Sequence, residues 1–148
     1  MKQIAIILGM LVFSGMAINS HTDVSKPLKT IDVEPAISVE VTATMYNAVV
    51  GQCDADPFIT ADGSKINPKK ASELKWVALS RNLLKRWGGQ FNYGDFVEIS
   101  GAGNKDGIYQ IKDCMNRRFK NKIDILETKG TKLYKFNKVK LKKVSPII

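Results

Sequence analysis

The chain has 148 residues, with 23 Lys+Arg against 14 Asp+Glu, a formal charge of +9 at pH 7. That length suits one ordinary domain, and 44% hydrophobic with 25% charged residues is ordinary globular usage. A disordered chain, a collagen-like rod and a multispan membrane protein are excluded. Two cysteines are too few for a disulfide-dense miniprotein or an all-thiolate zinc site. The sole histidine, His21, falls outside the expected domain. Ser-His-Asp and Cys-His mechanisms, which need an imidazole beside the nucleophile, are thereby disfavoured. An enzyme made from this chain works with carboxylates.

Residues 1–17 have the order of a secretory signal peptide. Lys2 precedes the apolar run Ile4 to Phe13, and Gly15 and Ala17 take the small-residue positions of a cleavage site. The run is short for a membrane span, so no stable span is expected once it is removed. The product is expected to be exported, periplasmic or secreted, and monomeric. In an oxidising compartment Cys53 and Cys114 are expected to pair, closing a long loop.

Residues 18–37 are polar, carry Pro27 and Pro35, and read as a linker. The domain is then 38–148. Ile37, Val39, Val41, Ala43 and Met45 alternate with polar residues, the period of a half-buried strand. Asn47 to Phe58 reads as a loop, and Thr60 to Ser64 as a turn. Trp76–Leu79 is a short buried strand; Arg81 to Trp87 allows one or two helical turns before Gly88-Gly89. Phe96–Ile99 and Ile108–Ile111 are strands joined through an Asp106-Gly107 turn. Ile123–Leu126 and Lys138–Lys142 complete six short strands, which predicts a small all-β barrel or sandwich.

Asp113 and Asp124 carry the chemistry. Each stands at or beside the end of an apolar strand, eleven positions apart, with a basic loop between. Partial burial disfavours a charged carboxylate, and a second one nearby adds to that effect. A protonated general acid is maintained in this way. The same aspartates also suit strand capping or pairing with Lys112, Arg117 and Lys122, and the spacing by itself favours that simpler role.

The segments Val41-Thr42-Ala43-Thr44-Met45-Tyr46, Thr60-Ala61-Asp62-Gly63, Trp76 to Ser80, Tyr93 to Ile99 and Asp113…Ile123-Asp124-Ile125 follow one another in a recognisable order. Over roughly residues 39–144 the chain resembles the 3D (three-aspartate) domains. These are similar to the barrel of membrane-bound lytic transglycosylase A, to rare-lipoprotein-A-like proteins and to endoglucanase barrels. The resemblance implies a six-stranded double-psi β-barrel. It places Asp124 at the family's catalytic acid/base and Asp113 at the preceding aspartate. Ser80 stands where the family has its first aspartate, and Asn47 where related endoglucanases have a second carboxylate.

The implied activity is cleavage of peptidoglycan glycan strands by lytic transglycosylation, with one aspartate and neither metal nor cofactor. The alternative is a non-catalytic, expansin-like wall-glycan binder, and a third is an inhibitor-like or structural exported scaffold. Asp54, Asp56 and Asp62 are also available, but their loops equally suit turn formation. Lysines from Lys129 to Lys143, with Tyr134 and Phe136 interleaved, suit an anionic wall polymer better than nucleic acid in an exported protein. They equally suit a solvated strand that guards a sheet edge. Trp76 is expected in the core. Trp87 is either a sugar-stacking platform or part of a small satellite cluster.

Overall fold

A computed structural model describes residues 36–51 and 56–145. The expected signal peptide, most of the linker, His21 and Cys53 lie outside the described residues. Six strands form the fold: β1 (Ser38–Asn47), β2 (Trp76–Leu79), β3 (Phe96–Ser100), β4 (Gly107–Cys114), β5 (Lys122–Glu127) and β6 (Phe136–Val144). They close into a barrel in the order β1-β5-β2-β4-β3-β6. Two of the contacts, β1 with β5 and β2 with β4, are parallel, and the others are antiparallel. Parallel neighbours need crossing connections rather than hairpins. The fold is a closed six-stranded all-β barrel, as the sequence led one to expect.

The alternation that marks the strands also fills the barrel. Val41, Ala43, Val77, Leu79, Val97, Ile99, Tyr109, Ile111, Ile123, Ile125, Val139 and Leu141 all point inward and are buried. Thr44, Tyr46, Trp76, Ala78 and Asp124 therefore take the outer face. Outside the barrel wall, Ala48, Ile66, Ala71 and Leu126 make a second cluster, against which Tyr46, Leu74 and Trp76 pack. Trp76 thus belongs to this outer cluster and not to the barrel interior.

Short 3-10 segments fill the connections. The longest, Pro68–Leu74, is started by Asn67, whose side chain accepts from the Lys69 N–H at 3.1 Å. Nothing in the apolar pattern announced it, because only Ala71 in it is buried. Arg81–Leu83 and Lys85–Trp87 are two separate 3-10 turns, ended by Gly88 at φ 89°. Gly89 then passes so close to Leu83 that a Cβ would lie 2.1 Å from its carbonyl carbon. β3 and β4 form the antiparallel hairpin expected there, with a further 3-10 turn, Gly103–Lys105, in its connection.

One charged group ties several connections together. Glu127, at the end of β5, is 3% exposed and pairs with Lys105 Nζ at 2.6 Å. It also accepts from the Ser72 hydroxyl at 2.6 Å and the Tyr134 hydroxyl at 2.8 Å. These donors hold its carboxyl below the usual range, against the opposing effect of burial.

Candidate functional site

The outer face of four adjoining strands brings together residues far apart in the chain. Ala78 on β2 pairs with Asp124 on β5 and with Asp113 on β4; Asp124 in turn pairs with Thr44 on β1. Asp113, Ala78, Asp124 and Thr44 thus form one row across the strands. Two strand spacings separate the aspartate backbones, about 10 Å. Ala78 contributes only a methyl group between them.

A bulge makes the row possible. In the β2–β4 pairing Val77 faces Ile111, but Ala78 faces Asp113, so Lys112 is passed over. Strict alternation from Tyr109 and Ile111 would have turned Asp113 into the barrel. The extra residue turns it outward, and Cys114 instead packs against the core. Periodicity does not reveal this, since a bulge leaves no reliable mark in the polar pattern.

The two carboxyls have different surroundings. Asp113 Oδ1 accepts from the Ala61 N–H at 3.0 Å and the Cys114 N–H at 2.8 Å. Its Oδ2 accepts from the Tyr46 hydroxyl at 3.2 Å. Burial pushes its pKa up and Asp62 adds to the rise, while these three donors oppose it. Asp124 accepts a close hydrogen bond from the Thr44 hydroxyl. Burial again raises its pKa, opposed by Thr44 and by the charge of Lys122. Asp113 is fixed by three donors, and Asp124 has fewer. Asp113 is the more firmly anchored of the two.

The Thr60–Ser64 turn frames one side of the row. Asp62 accepts from the Thr60 hydroxyl at 2.6 Å and the Ser64 N–H at 3.0 Å, and pairs with Lys112 at 3.1 Å. Its own carboxyl is lowered by those partners despite the effect of burial. Asp62 therefore stays charged beside Asp113. Composition alone presented it as a turn residue, and its ion pair with Lys112 could not be read from the sequence. Asp56 also serves its turn, accepting from the Phe58 N–H at 3.1 Å. Asp54 lies outside the described residues.

Ser80 and Asn47 have structural work of their own. Ser80 is fully buried, and its hydroxyl accepts the Lys122 N–H at 3.1 Å. Asn47 donates its amide to the Glu127 carbonyl at 2.8 Å. Cys114 carries a free, half-buried thiol facing the Tyr93 hydroxyl; its expected partner Cys53 is among the residues not described. Among the described residues no cluster of three acidic, histidine or cysteine side chains has the makings of a metal site. No helix among them is long and apolar enough to cross a membrane.

No family model and no curated protein matches the sequence. Among solved structures, the Streptomyces papain inhibitor is 19% identical, with a TM-score of 0.48 over 74% of this chain and 96% of that one. An expansin of Clavibacter michiganensis in its apo form is 12% identical, with a TM-score of 0.46. A point mutant of the same expansin, in complex with cellohexaose, is 13% identical with a TM-score of 0.46. Both cover 76% of this chain, which spans 52% of the expansin's length.

Proposed function

We propose that the protein cleaves wall glycan strands as a lytic-transglycosylase-like enzyme, with Asp124 as its single acid/base. The observation that carries this reading is the outward row of Asp113, Ala78, Asp124 and Thr44, in which burial raises the pKa of Asp124. A carboxyl kept protonated can donate to the oxygen of a glycosidic bond. In the reaction, Asp124 gives its proton to that oxygen as the bond to the anomeric carbon breaks. The resulting carboxylate then takes the proton of the C6 hydroxyl on the same sugar, whose oxygen closes onto the anomeric carbon. The products are a new hydroxyl end and an anhydro end, and Asp124 finishes protonated as it began.

This sequence consumes no water and needs no second base. That suits a site where Asn47 and Ser80 occupy the other expected carboxylate positions. Hydrolysis ordinarily uses two carboxyl groups in distinct roles. Asp113, anchored by Ala61, Cys114 and Tyr46, orients the site. Export through residues 1–17 would deliver the protein to such a substrate.

A second reading is a non-catalytic glycan-binding module. It is favoured by Ser80 and Asn47, which stand where the resemblance implies carboxylates and whose side chains make structural hydrogen bonds instead. Digestion of purified peptidoglycan with mass analysis of the released fragments separates the readings. Anhydro ends support the lyase; reducing ends indicate hydrolysis. Binding without release of fragments would replace the enzyme with the binder.

A further inference from the structure

The sequence contains four arginines, Arg81, Arg86, Arg117 and Arg118, and the fold gathers their two segments side by side. The Ser80 N–H donates to the Lys122 carbonyl at 2.9 Å, and Asn82 donates to Asn121 at 2.7 Å. The Asn121 N–H returns a bond to the Asn82 side chain at 3.2 Å. Residues 74–94 and 114–123 contain no Asp or Glu, so neither segment brings an acid to the junction. The four ion pairs among the described residues all use lysines, and none involves an arginine. The Nε of Arg81 is enclosed with no hydrogen-bond acceptor. Two guanidinium groups lie over Trp87, Arg86 at 4.6 Å and Arg81 at 5.1 Å, and that of Arg118 lies over Phe119 at 4.8 Å. Aromatic faces hold these planar groups in place without neutralising them.

The lysines of β6 are situated differently. Lys140 stands opposite Glu40 on β1, and Lys142 opposite Glu98 on β3. Lys143 pairs with Asp95 at 2.9 Å. Three of the seven lysines from Lys129 to Lys143 thus stand against an acid of the barrel, one of them in an ion pair. No arginine among the described residues has an acid placed against it in this way.

We propose that this arginine shelf binds the carboxylates of an acidic glycan strand whose neutral sugars lie over Asp113 and Asp124. The proposal deepens the glycan reading above and rests on it for the placement of the strand. The shelf adjoins the aspartate row: Ser80 bonds Lys122 two residues from Asp124, and the Met115 N–H bonds the Leu79 carbonyl two residues beyond Asp113. A guanidinium fork matches a carboxylate bidentately, which an ammonium does not. A nucleic acid carries a phosphate at every residue and would set some of them against the two aspartates. A glycan with charge only at intervals avoids that repulsion. The shelf therefore selects acidic over neutral strands.

The test measures affinity of the full chain for hyaluronan, whose carboxylates fall on every second sugar, for its fully methyl-esterified form and for single-stranded poly-dT. Two variants remove equal charge: Arg86→Gln/Arg117→Gln/Arg118→Gln and Lys138→Gln/Lys140→Gln/Lys142→Gln, each checked for an unchanged circular dichroism spectrum. The arginine variant should lose about tenfold or more in affinity for hyaluronan, and the lysine variant less than about threefold. Added salt should weaken the unmodified protein's binding and narrow that gap. Equal losses in both variants, or equally tight binding of the esterified polymer, would overturn the proposal. Tighter, arginine-dependent binding of poly-dT would overturn it in favour of nucleic acid. The cleavage reading fails separately: arginine-dependent binding with no fragments from any glycan removes the enzyme and leaves the shelf. Fragments released equally by the arginine variant, with unchanged affinity, do the reverse.

Discussion

Tyr46 and Asp113 meet at 3.2 Å although two strands, β5 and β2, stand between the strands that carry them. The contact spans the aspartate row, and Ala78 is the residue of β2 that lies in that row. A larger side chain at this position has nowhere to go but between the carboxyls. Ala78→Leu should leave the barrel core intact, since Ala78 is not part of it. It should break the Tyr46–Asp113 contact and reduce glycan cleavage by at least about a hundredfold, the scale of a misplaced reacting group. Fragment release at the unmodified rate would show that the row is not where the strand binds.

Asp124→Asn tests the chemical step. The amide keeps the acceptor for Thr44 and loses the proton, so fold and glycan affinity should persist while cleavage falls by about 10²–10⁴-fold. Asp113→Asn should be milder. Both backbone donors go to Oδ1, which an asparagine retains, and its amide can donate to Tyr46 in place of accepting. Full cleavage by Asp124→Asn would end the acid/base assignment.

The carboxyls divide into two groups with opposite pH signatures. Burial raises Asp113 and Asp124, so the folded state holds their protons more tightly than the unfolded chain. Their ionisation costs stability as pH rises from the ordinary carboxyl range through their raised values. Asp62 and Glu127 are lowered by their partners, so their contribution is present above the ordinary range and is lost as pH falls through the lowered values. Denaturant titrations should show the descent toward neutral pH flattened in Asp124→Asn, and the acid-side loss reduced in Glu127→Gln. Cleavage should decline as pH rises past the raised value of Asp124. Identical stability–pH profiles for the unmodified protein and Asp124→Asn would refute its burial.

Much of this arrangement was legible before any coordinates. The alternation Val39-Val41-Ala43 and the runs Trp76–Leu79 and Ile123–Leu126 mark strands because burial on one face imposes a period of two. The aspartates stood out as carboxylates embedded in apolar strand ends. Their companions did not. Thr44 and Tyr46 become neighbours of the aspartates only through a parallel pairing with β5, and parallel pairing has no local signal. The bulge at Lys112 and the Asn67-capped segment Pro68–Leu74 are likewise set by tertiary contacts. The cluster of lysines in the last strand was prominent in sequence, yet the register places Glu40 and Glu98 against it.

Glu127→Ala should be among the most damaging single changes. It leaves the half-buried Lys105 ammonium without its carboxylate and removes the acceptor of Ser72 and Tyr134. Removing one partner of a buried pair costs about 3–5 kcal/mol. Glu127→Gln keeps the hydrogen-bonding shape and should cost less. Equal midpoints in urea for the alanine variant and the unmodified protein would show that the cluster contributes nothing.

Gly89→Ala probes the turn beneath the arginine shelf. A methyl there would collide with the Leu83 carbonyl carbon and oxygen, backbone atoms that cannot rotate aside. A loss of about 1–3 kcal/mol is expected, the scale of overpacking a filled site. An unchanged thermal midpoint would contradict the close approach.

The first strand of this barrel finds its neighbours only in the last two, β5 and β6. During synthesis, residues 38–47 therefore have no sheet partner until the chain beyond Lys122 has emerged. Contacts so distant in sequence also make folding slow, because a long loop must close before its pairing is rewarded. The barrel itself stays open until β5 and β6 have emerged. A version ending before Lys122 should leave the β1 amides unprotected in hydrogen exchange, and the full chain should protect them only after its final segment is added.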